Sequence, residues 1–202
     1  MVDVDGVIIV PCPDGWAVDL EADLGITREV LQTHFFKPHW NDVVLGRAAL
    51  HERLGPVLAE HAPHLTSHQL TTYWFEKDAQ LDKALLSDLA TLRATGVQLH
   101  LATIQEHERA AYLWSTLGLR DHFDAMHYAA DIGWKKTDPE FYAVVEARTG
   151  FSGTDRAPIS CCWTIPRRTS KRPAPPAGAV HSGIEPRDSR RFWRRPRALD
   201  AT

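Results

Sequence analysis

The chain has 202 residues, 44% of them hydrophobic and 24% charged, with a formal net charge of -3. These values fit one soluble globular domain, or a core domain with a small insert, long enough to bury a core without disulfides or metals. The longest apolar stretches, such as residues 7–10, are far too short to span a bilayer. The N-terminus lacks the basic and apolar regions of a secretion signal, so the expected address is the cytoplasm. Three cysteines, Cys12, Cys161 and Cys162, make no disulfide framework, and no Cys/His grouping has zinc-finger spacing.

The net charge hides a split. Residues 1–154 carry 12 Lys and Arg against 22 Asp and Glu, a balance of −10, whereas residues 155–202 carry 11 against 4, a balance of +7. The second segment also holds 7 of the 13 prolines in less than a quarter of the length. Such a shift marks a domain boundary, a disordered arm or a change in how the segment is encoded.

Taken in chain order, Val2-Asp3-Val4-Asp5-Gly6 opens as a buried strand that runs out into a turn at Asp5-Gly6. A central strand has several apolar residues before its tip, and here Met1 and Val2 alone precede the first acid. The start of the strand is therefore expected upstream of Met1. Residues 16–78 are patterned as helices: Leu31, Phe35 and Phe36 cluster, Val43, Val44, Leu45, Leu50 and Leu54 continue at helical spacing, and Thr66-Ser67 starts a helix bearing Leu70, Tyr73, Trp74 and Phe75. Next, Leu81, Leu85, Leu86, Leu89 and Leu92 form an amphipathic stripe closed by Gly96. Residues 97–102 read as a strand ending at Thr103, residues 105–117 as a helix ended by Gly118, and residues 123–128 as a short strand. Thr137 and Glu140 fit a capping box, with Pro139 in the first turn of a helix that ends near Gly150. This alternation predicts an α/β core, a parallel sheet with helices on both faces. Beyond Thr154 no period survives, and the tail is expected to be disordered.

The chemistry gathers at strand ends. Asp3-Val4-Asp5-Gly6-Val7 puts two carboxylates beyond the carboxyl end of a strand, where ligands bind in open parallel sheets. Such a pair attracts a divalent cation and can divide nucleophile and proton-transfer duties; a plain Asx turn with solvated acids is the other reading. Thr103 ends the second strand at the same edge, where a threonine is otherwise a helix cap. Lys136 precedes the helix that starts near Thr137, where a lysine is otherwise a solvated charge. A carboxylate pair, a hydroxyl and a lysine, each in a loop after a strand, form a phosphoryl-transfer constellation.

On these residues the chain resembles the haloacid dehalogenase superfamily over about residues 1–150, in the subgroup whose helical cap is inserted after the first strand. Asp3-Val4-Asp5-Gly6-Val7 is similar to its first motif, Leu101-Ala102-Thr103 to its second, and Lys136-Thr137-Asp138-Pro139 to its third. The third departs mildly, with Thr137 where proline is common. An acid at Asp5 resembles the phosphatases of the family, because its true dehalogenases lack that second aspartate. The resemblance implies a Rossmann-like core over residues 1–13 and 81–154, an all-helical cap over residues 14–80, and a Mg²⁺-dependent phosphomonoesterase acting on a small phosphorylated metabolite. It implies Asp3 as nucleophile, Asp5 as general acid and base, Mg²⁺ on Asp3 and the Asp5 carbonyl, and Thr103 and Lys136 on the phosphoryl oxygens.

The family also needs a further apolar strand ending in an acidic pair, and nothing in residues 151–202 supplies one. The expected place reads Ile159-Ser160-Cys161-Cys162-Trp163-Thr164. Read one nucleotide earlier, the Cys161/Cys162 and Cys162/Trp163 codon overlaps must encode leucine, and the Trp163/Thr164 overlap must encode aspartate. Ordinary codon choices extend this to an apolar strand, an acidic pair and an amphipathic helix. The residues after about 154–158 therefore read as a frameshifted translation, and the chain as written is expected to be impaired.

The competing expectation is a non-catalytic protein whose basic tail, with Arg190-Arg191-Phe192-Trp193-Arg194-Arg195, binds a partner or nucleic acid. The histidines of the helical block show no ligand spacing beyond His64 and His68 at i, i+4. They are expected to be exposed or capping.

Overall fold

The structure, a computed structural model, describes residues 1–150. The expected tail disorder, the missing fourth strand and the shifted reading frame all lie outside these residues. No helix among the described residues is long and apolar enough to cross a membrane.

The sheet is parallel. Strand β1, His100–Thr103, pairs with β2, Ala125–Tyr128, in a register running from His100 opposite Ala125 to Thr103 opposite Tyr128. On the other side of β1, Val2 donates its amide to the His100 carbonyl at 2.8 Å and accepts from the Ala102 amide at 2.9 Å. Successive residues of β1 face opposite ways. Leu101 joins Val4, Ile8, Leu86, Leu113 and Phe123 in one core, while Ala102 meets Phe141 and Val145 in another. Leu86 comes from α6, Lys83–Arg93, and Phe141 and Val145 from α9, Pro139–Thr149, so helices cover both faces as expected.

Between Val10 and Gln80 the structure is helical. Helix α1 spans Leu20–Leu24 and α2 spans Arg28–Leu31, whose cap Thr27 accepts the Val30 amide at 3.3 Å. The chain continues without a break through a π-helical turn, Gln32–Phe36, into α3, Lys37–Val44. Pro38 accounts for the wider turn: it has no amide for the His34 carbonyl, and its ring would crowd that carbonyl in a regular helix. Helix α4, Leu50–His61, and α5, Ser67–Lys77, follow, and Thr66 and Gln69 form a reciprocal capping box at the start of α5. Leu20, Leu31, Phe35, Leu54, Leu58 and Leu70 belong to a third core, separate from the two at the sheet.

The remaining elements are α7, His107–Ala111, a π-helical turn Tyr112–Thr116, a 3₁₀ turn Leu119–Asp121, and α8, Ala129–Ile132. The expected helix over 105–117 is thus shorter, with a changed winding in its second half. The strands expected over 97–102 and 123–128 are trimmed to four residues each.

Two expectations need larger correction. The opening strand joins the sheet through one bridge, Val2 to Leu101, because the Val4 carbonyl accepts the amides of Ile8 and Ile9, both at 2.9 Å, and residues 4–9 coil back on themselves with a further bridge from Asp5 to Ile9. The capping box at Thr137 does not form. Asp138 occupies the cap position and spends its carboxylate on the Lys135 amide, at 3.0 Å, while Pro139 takes the first helical position as expected.

Candidate active site

Parallel pairing of Val2 with Leu101 places Asp3 level with the carboxyl end of β1. Asp3 then turns the chain away from the sheet, one carboxylate oxygen accepting the Val4 amide at 2.9 Å. Its other oxygen forms an ion pair with Lys136 Nζ, and both side chains are mostly covered. Lys136 is held there by a small turn: the Asp138 amide donates to the Lys135 carbonyl at 2.8 Å, opposite the Lys135–Asp138 contact described above. The structure therefore brings together Asp3 and Lys136, two of the residues singled out in the sequence.

Thr103 is fully buried at the end of β1. Gln105, two residues on, links it to the second acid. Its side-chain amide donates to Asp5 Oδ2 at 2.7 Å and reaches Thr103 Oγ1 at 3.5 Å. Asp5 is exposed to solvent, and partial loss of water around its carboxyl pushes its pKa up to about 6. The Arg109 charge opposes that rise, Asp78 and Asp3 add to it, and the Gln105 bond lowers it.

Gln105, Glu106 and Arg109 escaped the sequence reading. Arg109 is 3% exposed. It donates to the Phe75 carbonyl at 2.9 Å, to the Asp78 carbonyl, and to Asp78 Oδ2 at 3.3 Å, with its guanidinium over the rings of Phe75 and Tyr112. It thus ties α7 to the segment through which the chain returns from the helical block. Glu106 caps α7 by accepting the amides of Glu108 and Arg109, and burial pushes its carboxyl up to about 6. The signal for the Glu106 cap was an acid just after a strand end, three residues before an amide it can accept.

The histidine spacing in the helical block makes no site. His64 Nε2 bonds the Leu24 carbonyl at 3.0 Å, and His68 stacks on His51 with ring centres 4.0 Å apart. Among the described residues, no group of three His, Cys, Asp or Glu side chains is arranged to hold a metal. Asp3 and Asp5 supply hard oxygen donors. That set fits Mg²⁺, which takes one or two carboxylates and keeps several waters.

No family model and no curated protein matches the sequence. Solved structures do match. An HAD family enzyme from Bacteroides thetaiotaomicron, in complex with magnesium and inorganic phosphate, superposes with a TM-score of 0.61 at 14% identity, covering 74% of this chain and 77% of that one. A predicted HAD-like family hydrolase from Porphyromonas gingivalis superposes with a TM-score of 0.58 at 16% identity, covering 75% of each chain. At such identities the likeness is one of architecture. With its parallel sheet, helices on both faces and helical block between Val10 and Gln80, the chain has the α/β fold of HAD family hydrolases.

Proposed function

We propose that the protein is a Mg²⁺-dependent phosphomonoesterase of a small phosphorylated metabolite. The observation that carries this reading is the Asp3–Lys136 ion pair at the end of β1, beside the Asp5–Gln105–Thr103 chain of contacts. The Bacteroides neighbour, which holds magnesium and inorganic phosphate, lends support.

In the first step an Asp3 carboxylate oxygen attacks phosphorus, the bond from phosphorus to the ester oxygen breaks, and Asp5 gives that oxygen its proton. Asp5 then takes a proton from water, the water oxygen attacks phosphorus, and the bond to Asp3 breaks to release inorganic phosphate. A carboxyl near 6 suits both halves of that exchange around neutral pH. Lys136 and the Thr103 hydroxyl hold the phosphoryl oxygens. Lys136 already neutralises Asp3, so an anionic substrate approaches a paired acid. Asp3 and the Asp5 carbonyl would hold Mg²⁺, which offsets the negative charge on the phosphoryl group. The block over residues 14–80 acts as a cap that closes on the substrate.

The same reading treats the tail as an out-of-frame translation. Among the described residues no strand lies beyond Val2, the side on which a fourth apolar strand with its acids would add. The chain as written is then nearly inactive, and its counterpart with the shifted frame restored is active at millimolar Mg²⁺. The nucleotide sequence over codons 150–180 tests the frame directly. Asp3→Asn tests the chemistry: it should abolish hydrolysis of p-nitrophenyl phosphate by the restored protein, and a retained rate refutes Asp3 as nucleophile.

A further inference from the structure

Four rings of the helical block form a connected, half-buried group. Trp74 stacks on Trp16 at 5.2 Å between ring centres, meets Phe36 edge-on at 5.6 Å and lies 5.7 Å from Trp40. None of the four is fully buried, whereas their neighbours Phe35 and Phe75 are. The group is tied at both ends to segments that flank the site. Trp40 precedes Asn41, whose Oδ1 accepts from Lys135 Nζ at 2.7 Å, next to the Lys136 that pairs with Asp3. Trp74 precedes Phe75, whose carbonyl is held by Arg109, four residues past the Gln105 that bonds Asp5. Trp16 lies just past the point where the chain leaves the core, at Val10. The polar groups adjoining two of the rings are already engaged, Asn41 Oδ1 with Lys135 and the Tyr73 hydroxyl with Asp23. A sugar-like leaving group would need free donors and acceptors; flat carbon surface suits a ring.

We infer that Trp16, Phe36, Trp40 and Trp74 receive an aromatic ring of the substrate, so that the preferred esters are phosphates carrying an aryl or heteroaryl group. The inference rests on the phosphoryl-transfer reading, and the test separates the two. Calorimetric titrations in Mg²⁺ buffer, on the full chain and on its frame-restored counterpart, use benzylphosphonate, 3-hydroxypropylphosphonate and inorganic phosphate, none of which is hydrolysed. Benzylphosphonate should bind about tenfold or more tighter than 3-hydroxypropylphosphonate, in line with the usual worth of ring stacking. Trp40→Ala should erase that preference and leave inorganic phosphate binding unchanged, while Trp40→Phe, which keeps a ring, retains most of it. Equal binding of the two phosphonates, with phosphate still bound, overturns the aromatic receptor alone. Failure of all three probes in both proteins overturns the phosphoryl site as well.

Discussion

His127 Nε2 lies 3.1 Å from His100 Nδ1 on the neighbouring strand, with the two rings 13° from parallel. One proton fits between the facing nitrogens, so the pair resists becoming doubly charged. Burial first, and then the nearby His100, hold His127 far below its usual value, at about 4. The unfolded chain therefore takes up this proton first. Stability is complete above about pH 6.5, falls as the pH drops toward 4, and levels off below, for a total of about 3 kcal/mol. Urea midpoints of the wild type and His127→Gln at pH 7 and pH 4.5 check this: the wild type should lose more on acidification. Identical losses would refute the assignment.

Glu106 acts in the opposite direction. Its carboxyl is raised to about 6, so ionising it in the folded protein costs more than in the unfolded chain. Its stabilising share is present below about pH 4.5 and is lost as the pH rises through 6. Glu106→Gln removes the charge and keeps an oxygen for one of the two amides that Glu108 and Arg109 donate to separate carboxylate oxygens. It should gain on the wild type by about 1–2 kcal/mol between pH 4 and pH 7. Glu106→Ala, which removes the cap, should lose about 1 kcal/mol. Thermal melts across that range distinguish the two outcomes.

Arg109→Met should destabilise the protein by about 3–5 kcal/mol, because it strips a charged partner from half-buried Asp78 and leaves two carbonyls unpaired. Chemical denaturation measures the loss. A cost under about 1 kcal/mol would mean that water replaces the guanidinium without penalty.

Gly46, in the turn after α3, packs against Ala130 of α8. A Cβ there would stand 2.3 Å from the Ala130 carbonyl oxygen, and the residue sits at φ +69°, where side chains are strained. Gly46→Ala should cost about 3 kcal/mol and loosen the contact between the two helices. Faster amide exchange over residues 129–132 would report the loosening.

The parts of the candidate site legible in the sequence are those whose signal is local. Asp3, Asp5, Thr103 and Lys136 sit where a hydrophobic run stops or a helix starts, and such places can be read along the chain. Arg109 was illegible for the opposite reason: two of its partners are backbone carbonyls at residues 75 and 78, which any sequence would offer, and the third, the Asp78 carboxylate, lies 31 residues away in the chain. The capping box at Thr137 failed because a second acceptor, Asp138, stood one residue closer to the helix and captured the turn. The opening strand was over-read because β-branched residues suit a strand, while the Val4 carbonyl had three amides, those of Val7, Ile8 and Ile9, within reach.

The Val10 amide donates to the Gln80 carbonyl at 2.7 Å, and the Asp82 amide to the Ile8 carbonyl at 2.9 Å. Topologically, the whole helical block thus occupies the position of a hairpin turn. Lengthening such a turn to roughly seventy residues adds little closure entropy, and the block folds around its own core. A graft is therefore conceivable in which a two-residue type I′ turn joins Val10 to Gln80. The bridge at Val2 and the end of β1 would keep their register in such a chain, because their hydrogen bonds stay within the sheet, whereas the Lys135–Asp138 turn would lose only the Asn41 acceptor of its lysine.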